Sequence, residues 1–234
     1  MARVRHLSHA PIQEAIIDFS IVAPNVDNEF LELLANNLKD SLPNYSILER
    51  LEQDPSCAPQ NEPFISLSSK IDKIVIEITN KNIRVDKLAP YENWENLSDT
   101  ILSVYKLYTS MNNIPIERIS TRFINSISVE LPLDLEEYLK LIPRLPNNLQ
   151  ATLGDFFVSY FLSIDDILAS IILAGSHTEN KGNAIIIDIS TFYMVDQELL
   201  KNDGYLPVLL KHIRKYKNKI FFSTITEKVA GDLQ

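Results

Sequence analysis

Two stretches of short alternating apolar segments constrain this chain more than any other feature, Phe64 to Leu88 and Asp155 to Tyr193. Apolar residues recurring every second position put one side of a strand against a core and leave the other side free. Phe64–Ser69, Lys73–Thr79 and Ile83–Leu88 therefore read as an antiparallel meander, with turns at Ile71-Asp72 and near Asn80-Lys81-Asn82. Asp155–Ser163, Ile167–Ser176 and Asn183–Tyr193 read the same way, the first two joined by a tight Asp165-Asp166 turn. Each meander is preceded by a further strand and a helix, and followed by a longer helix. Glu14–Val22 is the first leading strand, and Asp27 caps a helix to Asp40 whose apolar face is Phe30, Leu31, Leu34 and Leu38. Tyr45–Glu52 adds a strand, and Gln53–Pro63, with three prolines, reads as a loop. Tyr91–Met111 is helical, with Trp94, Leu97, Ile101, Leu102, Tyr105 and Tyr108 on one face. In the second half, Arg118–Leu131 is the strand and Asp134–Leu141 the short helix. After the proline-rich passage Pro143–Pro146 and the second meander, a helical region begins at Gln197. It breaks near Gly204 and resumes from Leu206 to Phe221.

The order strand, helix, three or four strands, helix thus occurs twice, with the boundary near Asn113 and no matching residue identities between the halves. The expected organisation is an N-terminal arm at 1–9 and two α+β halves at 10–113 and 114–234. Strand pairs joined by short turns call for an antiparallel sheet, and helices on one side of it bury one face only. Such halves joined edge to edge resemble the saddle of the TATA-binding-protein-like fold. The alternative is a helix-grip sheet wrapped around the last helix and a ligand cavity.

Composition excludes several classes. Hydrophobic residues make up 45% of the 234, enough for a folded core. No apolar run approaches the ~18 residues of a membrane span, and no apolar stretch after Ala10 suggests a secretory signal, so a cytoplasmic protein is expected. The one cysteine, Cys57, rules out an internal disulfide and a cysteine-built zinc site. Lys plus Arg total 22 against 31 Asp plus Glu, a net charge of −9 that disfavours a nucleic-acid phosphate partner.

Four short stretches, taken in order, resemble a sporadically distributed prokaryotic family of roughly 250-residue proteins with no assigned activity. They are Ala10-Pro11-Ile12-Gln13-Glu14-Ala15 with Asp18, Leu88-Ala89-Pro90-Tyr91-Glu92-Asn93-Trp94-Glu95, Arg122-Phe123-Ile124-Asn125, and Lys217-Asn218-Lys219-Ile220-Phe221-Phe222. The resemblance implies a bacterial or archaeal cytoplasmic protein with the patchy distribution of mobile defence and toxin–antitoxin genes. It carries over no catalytic residue.

No catalytic, metal or cofactor set emerges from the residues. The five glycines make no phosphate-binding loop. His6 and His9 sit in the arm without a metal-ligand pattern. Cys57 has no evident base, and Ser176-His177 lacks the strained turn of a serine hydrolase. Glu14 and Asp18 share one face of the first strand, where Arg122 is the expected counter-ion, a sheet-face polar cluster. Arg122 and Asn125 fall on opposite faces. Trp94 is expected to dock its helix on the sheet. The pronounced charge cluster is Lys211, Arg214, Lys215 and Lys217, with Lys219 and His212, on the final helix. Lys211, Arg214 and Lys215 lie at i, i+3 and i+4, a docking face for an acidic partner or for nucleic acid, with Leu209, Leu210 and Ile213 toward the sheet. The leading expectation is a non-enzymatic protein that binds another protein encoded nearby, an accessory or antitoxin-like component, alone or as a homo-oligomer. Small-ligand binding in a sheet cavity and nucleic-acid binding on a saddle are the alternatives.

Overall fold

Alternation survives folding almost intact. In the computed structural model, Ile74, Ile76 and Ile78 are buried on β4 (Ile74–Thr79) while Val75, Glu77 and Thr79 stay half-exposed. The structure describes residues 2–21, 28–42, 45–48, 64–79, 81–111, 115–130, 134–142, 155–178, 182–202 and 204–234. The expected Asp27 cap, the 53–63 loop with Cys57, the 143–146 passage and the boundary at Asn113 lie outside these residues.

The remaining elements are β1 (Ile12–Ile21), α1 (Asn28–Ser41), β2 (Ser46–Leu48), β3 (Phe64–Ser69), β5 (Asn82–Leu88) and α2 (Trp94–Met111) in the first half. In the second they are β6 (Ile116–Ser128), α3 (Leu135–Tyr138), β7 (Phe157–Ile164), β8 (Ile167–Thr178), β9 (Gly182–Met194), α4 (Gln197–Leu200), α5 (Tyr205–Thr224) and α6 (Glu227–Asp232). The fold is α+β. Its strand order is β2-β3-β4-β5-β1-β6-β9-β8-β7. Read outward from the adjacent β1 and β6, the order is β1-β5-β4-β3-β2 on one side and β6-β9-β8-β7 on the other. Equivalent strands of the two halves thus take equivalent places. Both meanders pair antiparallel, as expected, with Glu77 opposite Arg84 in one and Phe161 opposite Ser170 in the other.

Two compact units divide the chain differently from its sequence halves. One comprises 1–14, 122–192 and 211–234, the other 15–121 and 193–210. The end of α2 and the start of β6, between which the sequence places a boundary, both belong to the second unit.

In the second unit, Ala15, Ile17 and Phe19 of β1, Ile83 and Val85 of β5 and the β4 isoleucines are buried, with α2 packed along β5 and α1 against β3 and α2. The α2 stripe is Trp94, Leu97, Ile101, Val104 and Tyr108, so Val104 joins the expected face. Phe19 meets the Tyr105 ring edge to face at 5.6 Å, and Phe30 meets Tyr108 likewise at 5.3 Å. The Tyr108 hydroxyl is buried with no hydrogen-bond partner among the described residues, and burial pushes its pKa up to about 12. An unsatisfied buried hydroxyl costs ~1–3 kcal/mol. Tyr108→Phe is therefore expected to raise stability by ~1 kcal/mol. Chemical denaturation measures this, and a loss of stability would mean the hydroxyl is bonded after all.

In the first unit, Ile185, Ile187 and Ile189 of β9 and Ala169, Ile171 and Leu173 of β8 pack against Ile220, Phe221 and Phe222 of α5 and Val229 of α6. Three details depart from the sequence reading. The helix expected from Asp134 to Leu141 is one turn, because Leu139 leaves it to bridge Ile225, and Lys140 N–H donates to Thr224 O at 2.7 Å. A further helix, α6, follows α5, capped by the Thr226 hydroxyl accepting from Val229 N–H. The arm is tied down rather than free. Ala2 is buried, Arg3 N–H and the Arg5 guanidinium donate to Glu227 at 2.7 and 2.8 Å, and His9 N–H donates to Leu233 O. These donors hold the Glu227 carboxyl below its usual range, the Arg3 N–H contributing most. His6 and His9 remain exposed.

Candidate functional site

The face of each sheet region opposite the helices is where function has room to reside. In the second unit that face is polar and internally paired. The Arg84 guanidinium donates to Asp86 at 2.7 Å and stands 3.9 Å from Glu77, its cross-strand neighbour. Asp18 accepts from the Asn82 amide at 3.0 Å, and Arg118 donates to Ser20 at 3.0 Å. Burial raises the Asp18 pKa, against the opposing Asn82 hydrogen bond and the Arg84 and Arg118 charges. These contacts satisfy one another, so Asp18 is a sheet-face carboxylate in a local network.

For Arg122, expected to pair with Glu14 or Asp18, a carboxylate of another strand stands within hydrogen-bond distance. Arg122 grips Asp188 of β9, its Nε 3.0 Å from both carboxylate oxygens and its second nitrogen 2.6 Å from one of them. Asp188 lies 66 residues away, beyond the reach of a strand-parity argument made on β1 alone. Arg122 is half-exposed and Asp188 buried. Glu14 and Asp18 do share the face opposite Ala15 and Ile17, as parity requires. Asn125 lies on the other face from Arg122, buried, its amide donating to Phe123 O at 3.2 Å and to Ile187 O at 3.0 Å.

Beyond Asp188 the open face of the first unit carries exposed apolar side chains set among serines. Its rows follow from the registers: Phe157-Ala174-Ile186, Ser159-Ile172-Asp188, Phe161-Ser170-Ser190 and Ser163-Leu168-Phe192. Phe157 is 70% exposed, Phe161 84% and Leu168 54%. The opposite parity of β7, Val158, Tyr160, Leu162 and Ile164, packs on the core. β7 therefore carries large apolar groups on both sides, one of them open to water. The sequence signal was present in FVSYFLSI, where both parities hold bulky apolar residues, but periodicity alone does not say which is covered.

The basic cluster on α5 separates into two environments. Lys211, Lys215 and Lys219 are exposed at successive i+4 spacings, and Arg214 is half-buried. Carboxylates of the β7–β8 turn reach the same helix. His212 Nε2 is 2.9 Å from Asp166, and the Tyr216 hydroxyl donates to Asp165. The Asp166 carboxyl is held below its usual range by the His212 hydrogen bond. The Tyr216 hydroxyl is pushed up to about 12, chiefly by Asp165. Asp165 takes a left-handed φ of 53°, which a two-residue hairpin needs and aspartate tolerates. Lys217 does not join the exposed stripe. It is half-buried, with Nζ 4.0 Å from the centre of the buried Phe123 ring, and desolvation, then Arg214, pushes its pKa down to about 7.

Among the described residues, no group of three or more His, Cys, Asp or Glu could hold a metal ion. No described helix is long and apolar enough to cross a membrane. No protein-family profile matches the chain, and no curated protein does.

Proposed function

We propose that this chain is a non-enzymatic protein-binding component, accessory or antitoxin-like in role, that grips its partner with the open face of β7 and β8. The observation that carries this reading is the exposure of Phe157 and Phe161 together on one face, flanked by Leu168. Burying a large aromatic removes ~150–250 Å² of surface from water, at ~25 cal/mol per Å². Grouped exposed aromatics are what interface centres are made of. The Arg122–Asp188 pair borders this patch and supplies a polar rim. The partner is a protein encoded beside this one, in keeping with the resemblance to a patchily distributed family. The lysine stripe of α5 is a secondary surface for acidic groups.

The test separates the two surfaces. Affinity for the neighbour-encoded protein is measured at low and high salt for the wild type, for Phe157→Ser/Phe161→Ser, and for Lys211→Glu/Arg214→Glu/Lys215→Glu. The phenylalanine pair is expected to lower affinity ~100-fold or more, at ~2 kcal/mol per interface anchor, without lowering the unfolding temperature. Its contribution should be nearly indifferent to salt. Binding that survives the phenylalanine changes, falls with the triple reversal, and weakens as the Debye length contracts from ~10 Å to ~3 Å moves the docking surface to α5.

A further inference from the structure

β7 is the last strand in the sheet order, and among the described residues β8 is its one neighbour. Which main-chain groups it leaves free follows from its register. Gly175 N–H donates to Phe156 O at 3.0 Å, while Phe157 stands opposite Ala174. In an antiparallel ladder, hydrogen-bonded and non-bonded pairs alternate. Val158, Tyr160, Leu162 and Ile164 thus bond to β8, and Phe157, Ser159, Phe161 and Ser163 point their N–H and C=O groups to the open edge. Edge strands are ordinarily protected by charge, proline or a bulge. From Phe156 to Ile164 there is no charged residue and no proline, in a chain whose net charge is −9. This edge adds no charge of its own where two copies of an acidic molecule would meet.

We propose that β7 pairs antiparallel with β7 of a second copy, about a two-fold axis at Ser159. Any two-fold axis through a residue of β7 sets edge-facing groups against edge-facing groups, and side chains choose among the three most central registers. Centred on Tyr160, the pairing sets Asp155 directly opposite Asp165, two like charges. Centred on Phe161, it sets Phe157 opposite Asp165. Centred on Ser159, it sets Phe157 against Phe161 of the second copy on the open face and Val158 against Tyr160 on the core face, and it moves Asp155 opposite Ser163. This register gives aromatic cross-strand pairs and about six main-chain hydrogen bonds between residues 157 and 161. The inference concerns the edge of β7 and holds whether or not a different protein binds the face.

Sedimentation equilibrium of the full chain, over about two decades of concentration around the micromolar range, is expected to show a monomer–dimer equilibrium. Ser159→Pro removes an N–H that faces the edge and no bond to β8, so it should leave a folded monomer. Should that variant fail to fold, Phe161→Lys places a charge on the edge strand and is expected to weaken dimerisation at least tenfold. The register is read by cross-linking in a Cys57→Ser background. At the axis, Ser159 faces itself with Cα atoms ~5.5 Å apart, within the ~4.4–6.8 Å that a disulfide spans. Oxidised Ser159→Cys should run as a covalent dimer, whereas Ser163→Cys, facing Asp155, should not. A monomer at every concentration overturns the proposal, as does a dimer that persists in both edge variants or cross-links equally at both positions.

Discussion

Replacing Trp94 with alanine is expected to cost ~3–5 kcal/mol of stability, as for other buried large aromatics. Trp94 opens α2 and is 2% exposed. It shares its face with Leu97, Ile101, Val104 and Tyr108, all buried, so its removal empties the end of a continuous stripe. The surrounding structure has little freedom to close the gap. Just upstream, Lys87 of β5 is buried, its ammonium held by the Asp72 carbonyl and 3.5 Å from Glu92, which fixes the strand-to-helix connection. A domain has only ~5–15 kcal/mol in hand, so the loss is a large fraction of it. Urea denaturation should show a lower midpoint at unchanged slope. A near-wild-type midpoint, with loss of partner binding, would make Trp94 an interface anchor instead.

The second large effect is tied to pH. Burial, then Arg214, pushes the Lys217 ammonium from its ordinary 10.5 down to about 7, and the Phe123 ring face offsets only part of this. Between these two values the unfolded chain carries a proton that the folded chain has released. Stability therefore rises with pH through that window, and below about 7 the folded state bears the full cost of the buried charge. Lys217→Met keeps the long apolar stem and removes the charge. It is expected to be more stable than wild type at pH ~6, and that advantage should shrink by ~2–3 kcal/mol by pH ~9, at ~1.4 kcal/mol per pH unit. The comparison needs denaturation curves of both proteins at the two pH values. Parallel pH profiles would place the Lys217 ammonium in water.

The strands of both meanders, the α2 stripe except that Val104 rather than Leu102 is buried on it, the placing of Leu209, Leu210 and Ile213 toward the core, and the opposite faces of Arg122 and Asn125 were legible in the sequence. The reason is that periods of 2 and 3.6 are local properties, set by backbone geometry and read within one segment. The antiparallel α+β class followed from the same patterns, because short turns between strands leave no room for a parallel crossover. The partners of these faces were not legible, because they depend on the order in which strands lie side by side. Strand parity gave Arg122 a carboxylate to find, but only the placing of β9 next to β6 made it Asp188. Charge counting put Lys217 with Lys211 and Lys215, yet a shift of two positions along α5 turns its stem over Phe123 and out of the exposed stripe. The same holds for α3, cut to one turn by main-chain bonds to Thr224 and Ile225, and for the arm held by Glu227, all contacts between distant segments. For β7, the order of residues placed bulky apolar groups on both sides of the strand. Tertiary structure decided which side the core covers and which is left to water, because a period of two assigns residues to faces and only the packed neighbour gives a face its surroundings.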